Sequence, residues 1–250
     1  MVNSLSMNIV VDIGNSRIKV VVMEGDNVVA EYVSADVCSQ WLYDIVERHG
    51  DIRRAIVSST SGAGGMVAEW LRDRVEYLLL FEPATTAVPI GNSYATPQTL
   101  GADRLAAAVG GTTLFPDGDL MIVDFGTAIT IDYVVDGKFV GGNISPGMTT
   151  RFRALADYTA KLPLCSPTDE VLTYGRTTKE AIEQGVMQGI VNEIEGYISA
   201  FLHKKAKKYI IFTGGDAKYF VKRIKNTIFA DCVPVICGLN RILNYNADKI

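Results

Sequence analysis

Val11–Ser16 reads V-D-I-G-N-S, and Val123–Ala128 reads V-D-F-G-T-A. In both, an aspartate closes a β-branched run and a glycine follows two positions later. The first copy lies between two strand-like runs, Asn8–Asp12 and Ile18–Met23. Gly14 and Asn15 supply the positive φ values that a tight turn needs, so this segment predicts a hairpin. A third strand, Asn27–Val33, follows the turn at Gly25-Asp26. The second copy lies between Met121–Asp124 and Ile129–Val135, and Lys138–Gly142 follows after Asp136-Gly137. Both halves therefore open with three strands in series. The fold class is α/β, with two domains of similar plan, 7–116 and 117–250, divided at the turn Pro116–Asp119.

Other elements follow from periodicity. Trp41–His49 carries apolar residues at helical spacing; Ala55–Ser58 and Tyr77–Phe81 read as buried strands, with a helix over Met66–Arg74 between them. Glu82–Gln98 holds Pro83, Pro89 and Pro97 and is mostly loop, and Leu100–Val109 is an alanine-rich helix. In the second half, Lys179–Leu202 is one long helix, Tyr209–Thr213 a strand ending in Gly214-Gly215, and Ala217–Ile224 a helix.

Composition removes several classes of function. The 250 residues are 48% hydrophobic and 21% charged, with a formal net charge of −4 and a pI near 5.3. Such a chain is globular and offers no broad basic surface to nucleic acid or to an anionic membrane. No apolar run approaches the ~18 residues of a membrane span, and Met1–Ser6 lacks the pattern of a signal peptide. Met7 marks an alternative start, so residues 1–6 are left out of the fold. Cys38, Cys165, Cys232 and Cys237 form no C-x-x-C pair, which argues for reduced thiols in a cytoplasmic protein.

A strand-end aspartate before a glycine turn suits phosphate and metal. The glycine permits close backbone approach, successive N–H groups can form an anion nest, and the carboxylate can hold Mg²⁺ directly or through its waters. A single copy is commonly an ordinary hairpin; two copies opening two similar halves could grip one polyphosphate across a cleft. D-I-G-N-S-R-I-K at Asp12–Lys19 and D-F-G-T at Asp124–Thr127 resemble the two phosphate motifs of the actin, sugar-kinase and heat-shock ATPase superfamily. T-G-G at Thr213–Gly215 is similar to its adenosine motif. Within the superfamily, Thr96–Arg104 (T-P-x-x-L-G-A-D-R), Gly141–Gly147 (G-G-N-I-S-P-G) and Gly175–Ile182 (G-R-T-T-K-E-A-I) resemble the type III pantothenate kinases. Ser16 stands where threonine is common in that family and keeps the hydroxyl.

The resemblance implies two actin-like, ribonuclease H-like domains flanking a nucleotide cleft. It implies transfer of the γ-phosphoryl group of ATP to the primary hydroxyl of pantothenate, the first step toward coenzyme A. Asp103 matches the family's base; a carboxylate is a weak one, which suits a loose transition state in which the proton leaves late. The ATP and phosphate contacts map to Asp12, Ile13, Gly14, Asn15, Ser16, Arg17, Ile18, Lys19 and Thr127. The hairpin leaves open whether Lys19 faces the cleft or solvent. Substrate contacts map to Tyr94, Gly101, Ala102, Asp103, Arg104 and Thr178, and the planar fork of Arg104 suits the carboxylate of pantothenate. In the family the threonine comes from a neighbouring subunit, which implies a homodimer with a shared substrate site. Asp12 would hold Mg²⁺, and Asp124 a monovalent cation, potassium or ammonium; the residues themselves do not separate that ion from Mg²⁺.

Rival readings are a superfamily kinase for another small hydroxylated substrate and a nucleotide-gated regulatory protein of the same fold. A pure switch has no need of a base such as Asp103. Ser61–Gly65 imitates a dinucleotide-binding loop, but Val67 occupies the place of the third glycine. The basic stretch His203–Lys208 reads as a solvated helix end.

Overall fold

The computed structural model describes residues 7–14, 17–36, 39–60, 64–203, 207–225, 227–229 and 234–249. They divide into two compact units. The first contains the described residues through Pro116 together with the C-terminal helix; the second runs from Asp117 through the last short strand. The chain passes from the first unit to the second between Pro116 and Asp117. The C-terminal helix packs with the first unit, which corrects the expectation that all of 117–250 belongs to the second.

In the first unit, β1 (Met7–Ile13), β2 (Ile18–Glu24), β3 (Asn27–Ser34), β4 (Ile52–Ser59) and β5 (Tyr77–Leu80) form a sheet in the order β3-β2-β1-β4-β5. The three opening strands are antiparallel, and β4 and β5 join in parallel. Alternation along each strand sends two sets of side chains to opposite faces. Ile9, Val11, Ile18, Val20, Ala55 and Val57 pack against α1 (Ser39–His49) and α2 (Gly64–Arg72) through Leu42, Ile45, Val67 and Leu71. The other face carries Asn8, Asp12, Lys19 and Ser58. Two helices cover it, α3 (Ala102–Leu114) and the C-terminal helix, α6 in chain order (Pro234–Ala247). Asn8 anchors α6 by donating to Asn240 at 2.7 Å and Asn244 at 3.0 Å. Where α3 and α6 cross, a Cβ on Gly238 would lie 1.8 Å from the Ala106 carbonyl oxygen, so the two backbones touch. Between β5 and α3 the chain is mostly loop, with a two-residue strand, β6 (Gly91–Asn92).

The second unit repeats this plan. β7 (Asp119–Phe125), β8 (Ala128–Val135), β9 (Lys138–Pro146), β10 (Lys208–Thr213) and β11 (Ile228–Phe229) lie in the order β11-β10-β7-β8-β9. Here too the first three strands are antiparallel and the last two parallel. Asp136 and Gly137 both have positive φ, 50° and 70°, which is the turn geometry a two-residue hairpin favours. Met121, Val123 and Phe125 face α5 (Thr178–Leu202), a 25-residue helix that buries Val186, Met187, Ile190 and Ile194. Phe125 stacks on Phe220 at 4.8 Å and meets Phe212 edge-on at 4.9 Å.

Several boundaries depart from expectation. β9 runs on to Pro146, and α4 (Met148–Asp157) follows it directly. The helix expected over Ala217–Ile224 is a 3₁₀ turn at Ala217–Tyr219 followed by further turns. Ala217, Phe220 and Ile224 are buried at helical spacing, which explains the periodicity without a continuous helix. Among the described residues, no helix is long and apolar enough to cross a membrane. Cys165 is a buried free thiol, whereas Cys237 is disulfide-bonded and departs from the reduced thiols expected above.

Candidate active site

The first unit brings two of the predicted acidic residues, Asp12 and Asp103, close together at one sheet end. Asp12 is the penultimate residue of β1; Lys19 lies opposite it on β2 and Ser58 beside it on β4. Residues in register share a face, so all three side chains project toward the α3 side. The Asp12 carboxyl is pushed up to about 6, mainly by burial and next by the charge of Asp103. Lys19, the Ser58 hydroxyl and Arg17 act in the opposite direction without overcoming those effects. Ser58 Oγ is fully buried and has no hydrogen-bond partner of good geometry among the described residues, although it is close enough to Asp12 to favour the charged carboxylate. A cation would offset both the desolvation and the repulsion from Asp103. The donor set thus fits Mg²⁺ that takes few protein ligands and shares the rest with phosphate and water.

Lys19 is on the Asp12 face of the sheet, and its ammonium pairs with Glu31 of β3 at 2.9 Å. Ile13 and Ile18 are buried in the α1/α2 core. The Ile13 carbonyl already accepts from Thr60 N–H at 3.0 Å and Thr60 Oγ1 at 3.2 Å. These two residues serve packing rather than offering side chains to a ligand. Gly14 N–H donates to the Arg17 carbonyl at 3.1 Å, closing the turn. Asn15 and Ser16 lie outside the described residues, as do Ser61–Ala63 and Lys204–Ala206.

The G-A-D-R segment forms the N-terminus of α3. Pro97–Thr99 makes a 3₁₀ turn, Leu100 is extended, and Gly101 is the N-cap residue, its carbonyl accepting from Leu105 N–H at 3.2 Å. Asp103 Oδ1 accepts from Arg104 N–H at 2.8 Å. A Cβ on Gly101 would come within 2.6 Å of that same oxygen, so this glycine lets the carboxylate fold back over the helix start. Ala102 and Arg104 are buried, and the Arg104 guanidinium lies 5.8 Å from the Tyr94 ring centre. Tyr94, Gly101, Ala102, Asp103 and Arg104 therefore form one local constellation, with Asp103 near enough to Asp12 to influence its protonation.

In the second unit, β10 pairs with β7 so that Thr213 sits beside Asp124. Gly214 has φ 96°, and a Cβ there would fall 2.4 Å from Asp124 Oδ1. The T-G-G and D-F-G-T motifs are thus one packed corner, which only glycine allows. The Thr127 carbonyl accepts from Gly147 N–H and from Thr150 Oγ1, so the G-G-N-I-S-P-G segment ends against the D-F-G-T turn. Thr178 is the first residue of α5 and is exposed. Thr177 caps that helix by accepting from Glu180 N–H at 3.2 Å, as the T-x-x-E spacing dictates. Beside Thr178 runs a groove of about 690 Å³, lined by Leu155, Tyr158, Leu162, Ile182 and Val186 among others.

A sequence profile of the type III pantothenate kinases matches residues 8–200. The chain belongs to the type III pantothenate kinases. The member of that family from Phocaeicola vulgatus is 39% identical over 98% of this chain and 100% of its own length. The Porphyromonas gingivalis W83 member is 39% identical over 97% of this chain and 100% of its own. Among solved structures, a candidate Baf family transcriptional activator from Campylobacter jejuni superposes with a TM-score of 0.63 at 22% identity, covering 96% of this chain and 99% of that one. A candidate 2-dehydro-3-deoxygalactonokinase from Sinorhizobium meliloti gives 0.60 at 13% identity, over 96% and 99%. At those identities the structures speak to fold alone, and the fold is that of the actin-like kinases. The chain is an ATP-dependent phosphotransferase.

The family's motifs draw attention to strand ends and glycines, and they omit three neighbours that the structure supplies. Ser58 reaches Asp12 through the β1–β4 register, and Glu31 reaches Lys19 through β2–β3. Thr150 reaches Thr127 from the first turn of α4. Strand register and the meeting of α4 with the turn at Thr127 are tertiary facts, and no local pattern announces them.

Proposed function

We propose that this chain carries out its family's reaction, phosphorylation of the primary hydroxyl of pantothenate by ATP, with Asp103 receiving or orienting the hydroxyl proton. The observation that carries these roles is the pairing of Asp103 with a buried, cation-seeking Asp12 at the entrance to α3. Phosphoryl transfer asks for positioning and charge neutralisation more than for covalent help. Asp12 would hold Mg²⁺, which when bound neutralises phosphate charge. The Gly14–Lys19 turn and Thr127 would bind phosphate oxygens. Arg104, with Tyr94 against it, would receive the carboxylate end of pantothenate. We place the reaction in the cytoplasm, where ATP is supplied. Assaying the purified protein with ATP against pantothenate and a panel of sugars tests the substrate; turnover of a sugar at a higher kcat/KM would displace this reading.

Asp124 would hold potassium or ammonium beside the nucleotide phosphates. Asp124→Ala should then change the dependence of rate on those ions, measured by exchanging them for sodium or lithium at constant ionic strength. A wild-type rate indifferent to every monovalent cation would remove this role.

Thr178 would complete the pantothenate pocket of a second copy in a homodimer. Its exposure and the apolar groove beside it, with Tyr158 90% exposed, support an interface on this face. Losing one neutral hydrogen bond costs about 0.5–1.5 kcal/mol, or severalfold in affinity. Thr178→Ala should therefore raise KM for pantothenate severalfold and leave that for ATP nearly fixed, and monomerising substitutions should do so more severely. Sedimentation combined with kinetics decides the point. A folded monomer with undiminished pantothenate affinity would show that each chain builds its own pocket.

A further inference from the structure

The second phosphate turn is braced from one side by a short relay of side chains. Gly126 N–H donates to the Ala128 carbonyl at 3.1 Å, which closes the turn. The Thr127 carbonyl then accepts twice, from Gly147 N–H at 3.0 Å and from Thr150 Oγ1 at 2.7 Å. A Cβ on Gly147 would lie 2.1 Å from the Gly126 carbonyl oxygen, so the end of β9 presses directly on the turn. Thr150 stands in the first turn of α4, where a threonine hydroxyl ordinarily bonds within its own helix. Here it reaches across to another element.

The mount behind Thr150 is equally defined. The neighbouring Arg151 donates through Nε to the Pro146 carbonyl at 2.8 Å and through Nη2 to Ser145 Oγ at 3.2 Å. The same Nη2 pairs with Glu193 of α5. Both partners of that ion pair are mostly shielded from solvent, at 22% side-chain exposure each, so it is screened less than a surface pair. The guanidinium therefore ties the end of β9 and the start of α4 to the long helix. Thr150 is held at a fixed place from which its hydroxyl meets Thr127.

We propose that Thr150 is a positioning residue for the second phosphate turn: its hydroxyl, on a mount secured by Arg151 and Glu193, fixes the Thr127 peptide and with it the nucleotide-facing edge of that turn. This rests on the reading of Thr127 as a phosphate contact. Because Gly147 N–H continues to hold the same carbonyl, losing the hydroxyl loosens the turn without releasing it. The cost falls on nucleotide binding and leaves pantothenate binding alone.

The test is Thr150→Val, nearly isosteric and lacking only the donor, beside Thr150→Ser, which keeps it. The readouts are KM for each substrate, the Kd of a non-hydrolysable ATP analogue by calorimetry, and Tm. Thr150→Val should raise KM for ATP and the analogue Kd roughly 3- to 10-fold, the loss of one hydrogen bond. KM for pantothenate should stay within about twofold, and Thr150→Ser should return the nucleotide values to within about twofold of wild type. Unchanged nucleotide affinity in Thr150→Val overturns the proposal, whether or not Tm falls. So does an equal loss in the serine variant, because the hydroxyl is then not the agent. Thr127→Ala separates the two levels. If it leaves nucleotide affinity intact, the phosphate reading of Thr127 fails; if it weakens affinity while Thr150→Val does not, only the positioning role fails.

Discussion

Asp103→Asn should lower kcat by roughly 10²- to 10⁴-fold, the span that removal of a positioned acid–base group typically costs. The substitution is nearly isosteric and spares the first-turn hydrogen bond: an asparagine Oδ1 can still accept from Arg104 N–H, which the carboxylate now does at 2.8 Å. Helix α3 should therefore start at the same place, and Arg104 should keep its position against Tyr94. What would be lost, on the proposed role of Asp103, is the ability to take up the proton of the acceptor hydroxyl. KM for ATP should change little. Because Asp103 also repels the charge on Asp12, its neutralisation should if anything favour the ionised form of Asp12 and the cation that goes with it. Steady-state kinetics over both substrates checks this, and near-wild-type turnover would remove Asp103 from the chemical step. A fall in kcat accompanied by a comparable rise in KM for pantothenate would instead assign the residue to binding.

The sequence shows this site unevenly, for physical reasons. The strand-end aspartates are plain because period-2 runs and glycine turns are local signals; Asp12 and Asp124 occupy the expected places in sheets of matching order. The start of α3 is equally local, since a proline turn followed by glycine marks a helix entry. The environment of each carboxylate is not local. Ser58 stands beside Asp12 only because β4 adds in parallel at one particular register. Lys19 could be assigned to the Asp12 face only once the β1–β2 pairing was fixed. Helix α6 escaped the sequence reading, and its seat on the first unit depends on Asn8 and on the Gly110–Gly238 contact, whose partners are far apart in the chain. The 3₁₀ turn at Ala217–Tyr219 shows the converse, since buried residues at helical spacing constrain which side chains turn inward and leave the backbone free to restart its hydrogen bonds at Phe220.

Asp12→Asn should raise the stability of the ligand-free protein while abolishing most of its activity. The native state binds a proton at Asp12 with a pKa of about 6, against the ordinary value of 3.8. Between those values the folded chain holds more protons than the unfolded one, so stability falls as pH rises from about 4 to about 6 and the deficit persists above it. A shift of that size corresponds to about 3 kcal/mol at most. Asparagine carries no charge to desolvate and none for Asp103 to repel, so the variant should escape this penalty at pH 7–8. For a protein of this length each kcal/mol is worth roughly 2–4 °C in Tm. The gain should shrink as pH falls through 6 and vanish near 4, where the wild-type carboxyl is already neutral. Magnesium and ATP together should reverse the order, because a cation at the carboxylate relieves the wild type and finds little purchase on the amide. Thermal melts of both proteins from pH 4 to 8, with and without magnesium and ATP, make the comparison directly. A variant no more stable than wild type at pH 8 would show that the carboxyl is already well compensated in the free enzyme. Equal stabilisation of both proteins by magnesium and ATP would show that Asp12 does not hold the cation.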